Sequence, residues 1–188
     1  MHGSTLKETD EYQSCTGYLC QKWIPKASTY SIPSNSFSFY YYAYPYLRLP
    51  ELYLSYAEAD FEYNGSLSTQ SLEYINLVRK RCGLPTFQAS WALAGGIPTG
   101  QKLRKVLHQE RSIEFLFEGR RFHDLRRWKE ADEHFTSVDE MKLTLNSDST
   151  ISYERNTVSR TWDDKMYLFP IPQSEIQKNP NLTQNPGW

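Results

Sequence analysis

The sequence predicts a mostly α-helical protein, and three observations carry that expectation. Apolar side chains recur at steps of three and four in three separate segments, the period of a helix face. Caps and breakers stand at the ends of those segments, at Ser68, at Asn64-Gly65 and at Gly83 with Pro85. The chain before Leu47 and beyond Phe135 is rich in Pro, Ser, Thr and Asn, so extended irregular segments are expected at both ends.

Residues 1–14 are polar and partly acidic and are expected to be disordered or loosely docked, with residues 15–188 forming one domain. Cys15 to Tyr46 is interrupted by Pro25, Pro33 and Pro45 and reads as extended and irregular. A first helix is expected from about Leu47 to Tyr63, with the stripe Leu49, Leu52, Tyr53, Tyr56, Ala59, Asp60 and Tyr63. Pro50 falls in its first turn, where a missing N–H is harmless, and Asn64-Gly65 ends it. A second helix runs from about Thr69 to Cys82 behind Ser68 as N-cap, with the stripe Leu72, Ile75, Asn76 and Arg79. So short a connection folds the two helices into a hairpin, and the small Ala57 and Ala59 permit close approach. That is the shape of one tetratricopeptide-like unit, although one unit shows no repeat period.

Phe87 to Gly100 reads as a loop. A long third helix is expected from about Gln101 to Lys129, continuing toward Phe135, with the stripe Leu103, Val106, Leu107, Ile113, Phe117, Leu125 and Trp128. Thr136 to Asp164 is polar and loop-like, with room for a short hairpin, and Gln173 to Lys178 suits one helical turn. In the extended tail Leu168, Phe169 and Ile171 form an apolar run, so the tail is expected to dock rather than run free.

Composition excludes several classes of function. The 21 basic and 22 acidic side chains leave a net charge of -1, so no basic excess exists to neutralise nucleic-acid phosphates. No apolar run reaches the about 18 residues of a membrane-spanning helix, and Met1 to Gln13 lacks the basic and apolar regions of a signal peptide. The three cysteines, Cys15, Cys20 and Cys82, leave at least one free thiol; Cys15 and Cys20 are close enough to pair, and two unpaired thiols are the favoured reading. No metal site is expected, because His2, His108, His123 and His134 share no ligand spacing and Glu130 with His134 alone cannot hold zinc.

The third helix carries an unusual charge pattern. Glu110, Glu114, Arg121 and Asp124 interrupt its apolar stripe, and charges on a buried face must be paired. Partners stand at helical spacing: Arg111 with Glu114, Glu114 with Glu118, and Glu118 with Arg121. Glu110, Arg111, Glu114, Glu118, Arg121 and Asp124 therefore read as a structural ion network, with Gly119 letting another backbone approach. The competing reading is the carboxylate pair of a glycoside hydrolase. Against it, the many arginines are expected to hold the carboxyl pKa values down rather than raise one for acid duty.

The run Leu103-Arg-Lys-Val-Leu-His-Gln-Glu-Arg-Ser-Ile-Glu-Phe-Leu-Phe-Glu-Gly-Arg-Arg-Phe-His-Asp-Leu-Arg-Arg-Trp128 resembles the ERxxELxFEGxRxxDLRRW signature of the SusD/RagB family. Three further segments agree in order: Thr16-Gly17-Tyr18, the stretch from Tyr46 to Ala59, and the tail from Tyr167 to Trp188, which is similar to a closing LfPIPxxEixxNPxLxQNPGY. Pro50 stands where Ala is usual and Trp188 where Tyr is usual. The resemblance implies the C-terminal part of a SusD-like α-α superhelix, with further helical repeats and a lipidated cysteine upstream. It also implies a surface-exposed protein of the cell outer membrane in Bacteroidetes-type bacteria, held there by that lipid anchor. Its partners would be an oligosaccharide or other nutrient and a SusC-like TonB-dependent transporter. Neither a cofactor nor catalysis is implied.

Sugar recognition needs flat apolar faces beside hydrogen-bonding groups, which Trp and Tyr supply. Trp23, Tyr40, Tyr41, Tyr42 and Trp91 all fall in segments expected to be irregular and are the ligand-contact candidates; the bland alternative is that they cover the core. Two rival functions stay open, a tetratricopeptide-like interaction scaffold and a glycoside hydrolase.

Overall fold

The computed structural model describes Cys20, residues 22–31 and residues 33–188. The expectations for residues 1–14 and for pairing of Cys15 lie outside the described residues; Cys20 and Cys82 carry free thiols. Helix dominates, with seven α-helices, one 3-10 turn and two small two-stranded sheets among the described residues. Two compact units are distinguished, one of Ile24–Arg121 and one of Phe122–Trp188 with Cys20, Lys22 and Trp23.

The first unit opens on a short antiparallel pair, β1 (Thr29–Ser31) and β2 (Ser36–Ser38). Helix α1 (Leu49–Asn64) then starts with Pro50 in its first turn and closes on Gly65, whose N–H reaches the Phe61 carbonyl at 2.8 Å. Helix α2 (Thr69–Arg81) starts where the Ser68 hydroxyl accepts the Ser71 N–H at 3.2 Å. Both boundaries follow the caps expected from sequence.

The buried face of α1 does not. Leu54, Ala57 and Phe61 enter the core, whereas Leu49, Leu52 and Tyr56 are 62%, 56% and 46% exposed. Apolar residues lie on two overlapping faces of this helix, and the fully buried Ala57 marks the face where a partner comes closest. Ala59 is exposed and takes no part. Tyr53 and Tyr56 flank the core instead, stacked and edge-on to Tyr74 with ring centroids at 4.7 and 5.2 Å.

Phe87–Ala92, expected as loop, is a short helix α3 capped by Thr86. The long third helix is two helices. Helix α4 (Gly100–Glu114) ends at Phe115, and α5 (Arg120–Arg127) begins after a turn in which Phe117 and Gly119 have φ of 62° and 73°. The apolar period continues through Leu116 and Phe117, which hides the break in sequence, but left-handed residues cannot carry the hydrogen-bond ladder. A Cβ added at Gly119 would meet nothing within 4 Å, so this glycine supplies the turn rather than room for a neighbouring backbone. Leu54, Ala57, Phe61, Ile75, Val78, Phe87, Leu103, Leu107 and Phe115 form one buried cluster.

The second unit contains α6 (Ala131–Phe135) and a hairpin longer than expected, β3 (Ser137–Leu145) paired with β4 (Ile151–Ser159). A 3-10 turn (Asp164–Tyr167) and α7 (Gln173–Lys178) follow. Phe122, Phe135, Trp162 and Tyr167 make a chain of rings with successive centroids 5.7, 5.3 and 5.2 Å apart. The Arg126 guanidinium lies 3.8 Å from the Phe169 centroid and donates to the Tyr167 carbonyl at 2.7 Å. The tail is tied down, but not by burying its apolar run: Leu168 and Phe169 are 49% and 61% exposed. Polar bonds hold it, including Asn185 Nδ2 to the Phe169 carbonyl at 2.6 Å and Trp188 Nε1 to the Lys165 carbonyl at 2.9 Å.

Among the described residues no helix is long and apolar enough to cross a membrane.

Candidate functional site

Glu110, Arg111, Glu114, Glu118, Arg121 and the aromatic candidate Trp91 lie in the first unit, and Asp124 lies in the second. The chain enters α1 through Arg48, whose guanidinium reaches Glu114 at 2.7 Å and Glu118 at 2.5 Å. Arg81, at the end of α2, takes the two Glu114 oxygens at 2.8 and 2.7 Å. Arg111 lies 3.9 Å from Glu51 and donates to Ser55 at 3.2 Å, while Arg120 meets Glu51 at 2.8 Å. Arg121 donates to the Ser112 hydroxyl at 2.5 Å, and in the second unit Asp124 accepts from Arg127 at 2.9 Å. The break between α4 and α5 takes Glu114, Glu118 and Arg121 off a common helical spacing, so Glu114 and Glu118 find partners on other elements. Arg48 and Arg81 were not legible as those partners, because long-range pairing leaves no local signal in one sequence.

Glu110 has a different environment. It pairs with Arg79 of α2, which also donates to Ser90 at 2.6 Å and to the Pro85 carbonyl at 2.9 Å. Burial pushes the Glu110 carboxyl above its ordinary pKa, outweighing the opposing pull of Arg79. The expectation that arginines would hold the carboxyl pKa values down therefore fails at this position. Desolvation of a group set between α2 and α4 is stronger there than one cation.

Glu110 also closes one end of a groove of about 530 Å³ between α3 and α4, lined by Trp91 and by Gln101, Lys102, Lys105, Val106 and Gln109. Phe87 anchors α3 in the core, and one turn later Trp91 sits half-buried at its edge, the two ring centroids 6.4 Å apart. The Lys102 ammonium lies 5.8 Å from the Trp91 centroid. An aromatic face beside amides and ammonium groups is a surface that can hold a polyhydroxylated ligand. Lys102, Lys105 and the two glutamines were not singled out from sequence. A second groove, of about 500 Å³, follows α2 past Leu72, Asn76 and Leu84.

The remaining aromatic candidates lie elsewhere. Tyr40, Tyr41 and Tyr42 follow β2 in an extended run and are 57%, 87% and 41% exposed. Trp23 belongs to the second unit, half-buried, with the Lys22 ammonium 5.7 Å from its ring. Among the described residues no cluster of three or more His, Cys, Asp or Glu is arranged to hold a metal ion.

The chain is 28% identical over 143 residues to the SusD-like protein P2 of Formosa agariphila, covering 76% of this chain and 25% of that protein. It is similar to the crystal structure of a SusD-like protein from Bacteroides fragilis, with 34% identity, a TM-score of 0.61, and coverage of 79% of this chain and 28% of the other. A SusD homolog from Bacteroides thetaiotaomicron is 30% identical with a TM-score of 0.50, over 76% of this chain and 26% of that one. The chain thus spans about a quarter of the length of these relatives. The family model described as "SusD family" matches residues 1–188, and with the helical fold and its ordered motifs on the page, this chain belongs to the SusD family.

Proposed function

We propose that this chain serves in a nutrient-binding, non-catalytic subunit of an outer-membrane uptake system, capturing an oligosaccharide for a SusC-like TonB-dependent transporter. The observation that carries this reading is the family match along the whole chain. The groove at Trp91 adds a place where this chain itself would touch a sugar, with the indole against the apolar face of a ring and Gln101 and Gln109 within reach of hydroxyls. A hydrolase needs two carboxyl groups flanking the scissile bond. Among the described residues lining the groove, Glu110 is the one acid, which supports binding over catalysis. The scaffold reading rests on one helical pair, α1 and α2, among the described residues.

The test has two arms. The protein, tagged and purified from outer membranes of the bacterium that makes it, is expected to bring down a TonB-dependent transporter identified by mass spectrometry. Titration against a panel of oligosaccharides is expected to give saturable binding that Trp91→Ala weakens about tenfold, the loss of one stacked aromatic contact of roughly 1–1.5 kcal/mol. A transporter-free preparation, or a panel without any binder, overturns the proposal.

A further inference from the structure

Between Lys26 and Arg48 the sequence holds no Asp, Glu, Lys, Arg or His, in a chain whose charged residues make up 23%. The same stretch carries eight Tyr and Phe residues, all of them exposed. Loss of charge together with a gain in Tyr and Phe is the composition of a surface made for contact. The backbone turns that composition into an ordered array. Strands β1 and β2 set Tyr30 opposite Phe37, and the chain runs on extended past β2, so Phe37, Phe39 and Tyr41 project to one side at alternate positions. The Tyr30 hydroxyl donates to Asn35 at 2.6 Å, and the Ser28 hydroxyl accepts the Tyr40 N–H at 3.1 Å, which ties down both sides of the array. The three rings form a ladder with successive centroids 5.4 and 5.7 Å apart, close to the advance of one pyranose ring along a glycan chain. Successive rings are not parallel: their planes meet at 64° and 50°.

We infer that the ladder Phe37-Phe39-Tyr41 is a second glycan-binding surface, and that it takes a neutral chain whose backbone turns from one sugar to the next, as laminarin-type and amylose-type chains do, rather than a flat cellulose-type ribbon. The inference rests on the reading of this chain as glycan-binding, not on the groove at Trp91. A neutral sugar stacks its C–H face on an aromatic ring and asks for no counter-charge, whereas an acidic or basic partner would find nothing in this stretch to pair with. The angles between the rings select the shape of the chain. A ribbon with its sugar rings in one plane can lie face-on against one rung and meets the next obliquely. A chain that turns between sugars can offer a face to each rung in succession.

The test is calorimetric titration with laminarin, amylose and cellulose oligosaccharides of equal length. The parent chain is compared with Trp91→Ala, in which the stacking surface of the groove is gone, and with Trp91→Ala combined with Phe39→Ala; circular dichroism melts confirm folding. In the Trp91→Ala variant at least one turning oligosaccharide is expected to bind about tenfold more tightly than the cellulose one, roughly the contribution of one further stacked ring. Adding Phe39→Ala is expected to abolish that advantage, and raised salt is expected to leave it unchanged because the ligand carries no charge. Equal binding of turning and flat members, or an advantage that survives Phe39→Ala, would overturn the inference. Binding by the parent that disappears outright with Trp91→Ala would overturn the ladder and leave the groove standing. Self-association in sedimentation that Phe39→Ala abolishes, without any sugar binding it alters, would give the ladder to a second copy of the chain instead. If the parent binds no oligosaccharide at all, both readings fall.

Discussion

Arg48 grips Glu118 from 70 residues away, its Nη2 2.5 Å from Oε1 and its Nε 3.0 Å from Oε2. The same guanidinium holds Glu114, so the residue that starts α1 fixes the end of α4 and the turn beyond it. Burial works against the Arg48 charge, yet the bonds from Glu118 and Glu114 outweigh it and raise its pKa above the usual arginine value. Arg48→Ala would leave two nearly buried carboxylates short of a partner, with side chains 6% and 8% exposed. The expected cost is about 2–3 kcal/mol, below the full penalty for a broken buried pair because Arg81 still serves Glu114. A chemical melt of the variant checks this, and Arg48→Lys is expected to recover only part of the loss, since an ammonium cannot form the fork. A midpoint equal to the parent's would show that the network contributes nothing.

Asp60 closes the hairpin of α1 and α2 from the outside. Its carboxylate accepts from the Ser71 hydroxyl at 2.5 Å, the Ser68 N–H at 2.8 Å and the Asn64 amide at 2.7 Å. These donors, the Ser71 hydroxyl foremost, hold its pKa well below the ordinary aspartate value. A carboxyl lowered on folding adds stability above its unfolded pKa of about 3.9 and loses it as pH falls toward the folded value. Asp60→Asn is therefore expected to cost about 1 kcal/mol at pH 7, and the gap to the parent is expected to narrow steadily below about pH 4 without closing fully at pH 2. Parallel melts of parent and variant from pH 7 to pH 2 check it; a gap that stays constant would assign the effect to packing.

The helix ends were readable because they depend on local chemistry: Pro50, Gly65 and Ser68 act within a turn of where they stand. The buried face of α1 was not, because two apolar stripes share one helix and only the partner decides between them. Leu54, Ala57 and Phe61 won since Ala57 lets the neighbouring elements close in, which no count of apolar residues reveals. The hairpin of β3 and β4 was underestimated because its strands are largely exposed and polar, and because the turn from Asn146 to Thr150 lacks the glycine that usually announces one. At the site, Trp91 was legible as an aromatic, but Lys102 and Lys105 acquire meaning only when α3 lies beside them.

The turn between α4 and α5 makes a prediction about strain alone. Gly119 has φ of 73° with open space around its missing side chain, so Gly119→Ala meets no clash and isolates the backbone cost. That cost is about 1 kcal/mol for a left-handed alanine. Urea unfolding is expected to show a midpoint lowered accordingly at unchanged slope. No shift would mean that the turn relaxes, and that the split of the third helix is not fixed by this residue.

Gln184 does for the tail what a neighbouring strand does in a sheet. Its side-chain oxygen accepts the Ile171 N–H at 2.8 Å, and its amide donates to the Ile171 carbonyl at 2.9 Å. One side chain thus satisfies both backbone groups of a residue that stands between Pro170 and Pro172, in a segment where proline removes other donors. The same oxygen accepts the Asn185 N–H at 2.9 Å, so the closing segment is tied to the Phe169–Pro172 stretch at one point. With Leu168 and Phe169 largely exposed, burial contributes little here and the hydrogen bonds decide. Gln184→Ala forfeits them at about 0.5–1.5 kcal/mol each, and the Ile171 amide is then expected to exchange at least about tenfold faster. Gln184→Glu keeps both acceptor bonds but can no longer donate to the Ile171 carbonyl, so it is expected to protect that amide while loosening the tail beyond it. Exchange measured amide by amide separates the two variants. If Gln184→Ala leaves the Ile171 amide as protected as in the parent, the tail is held by something other than this clamp.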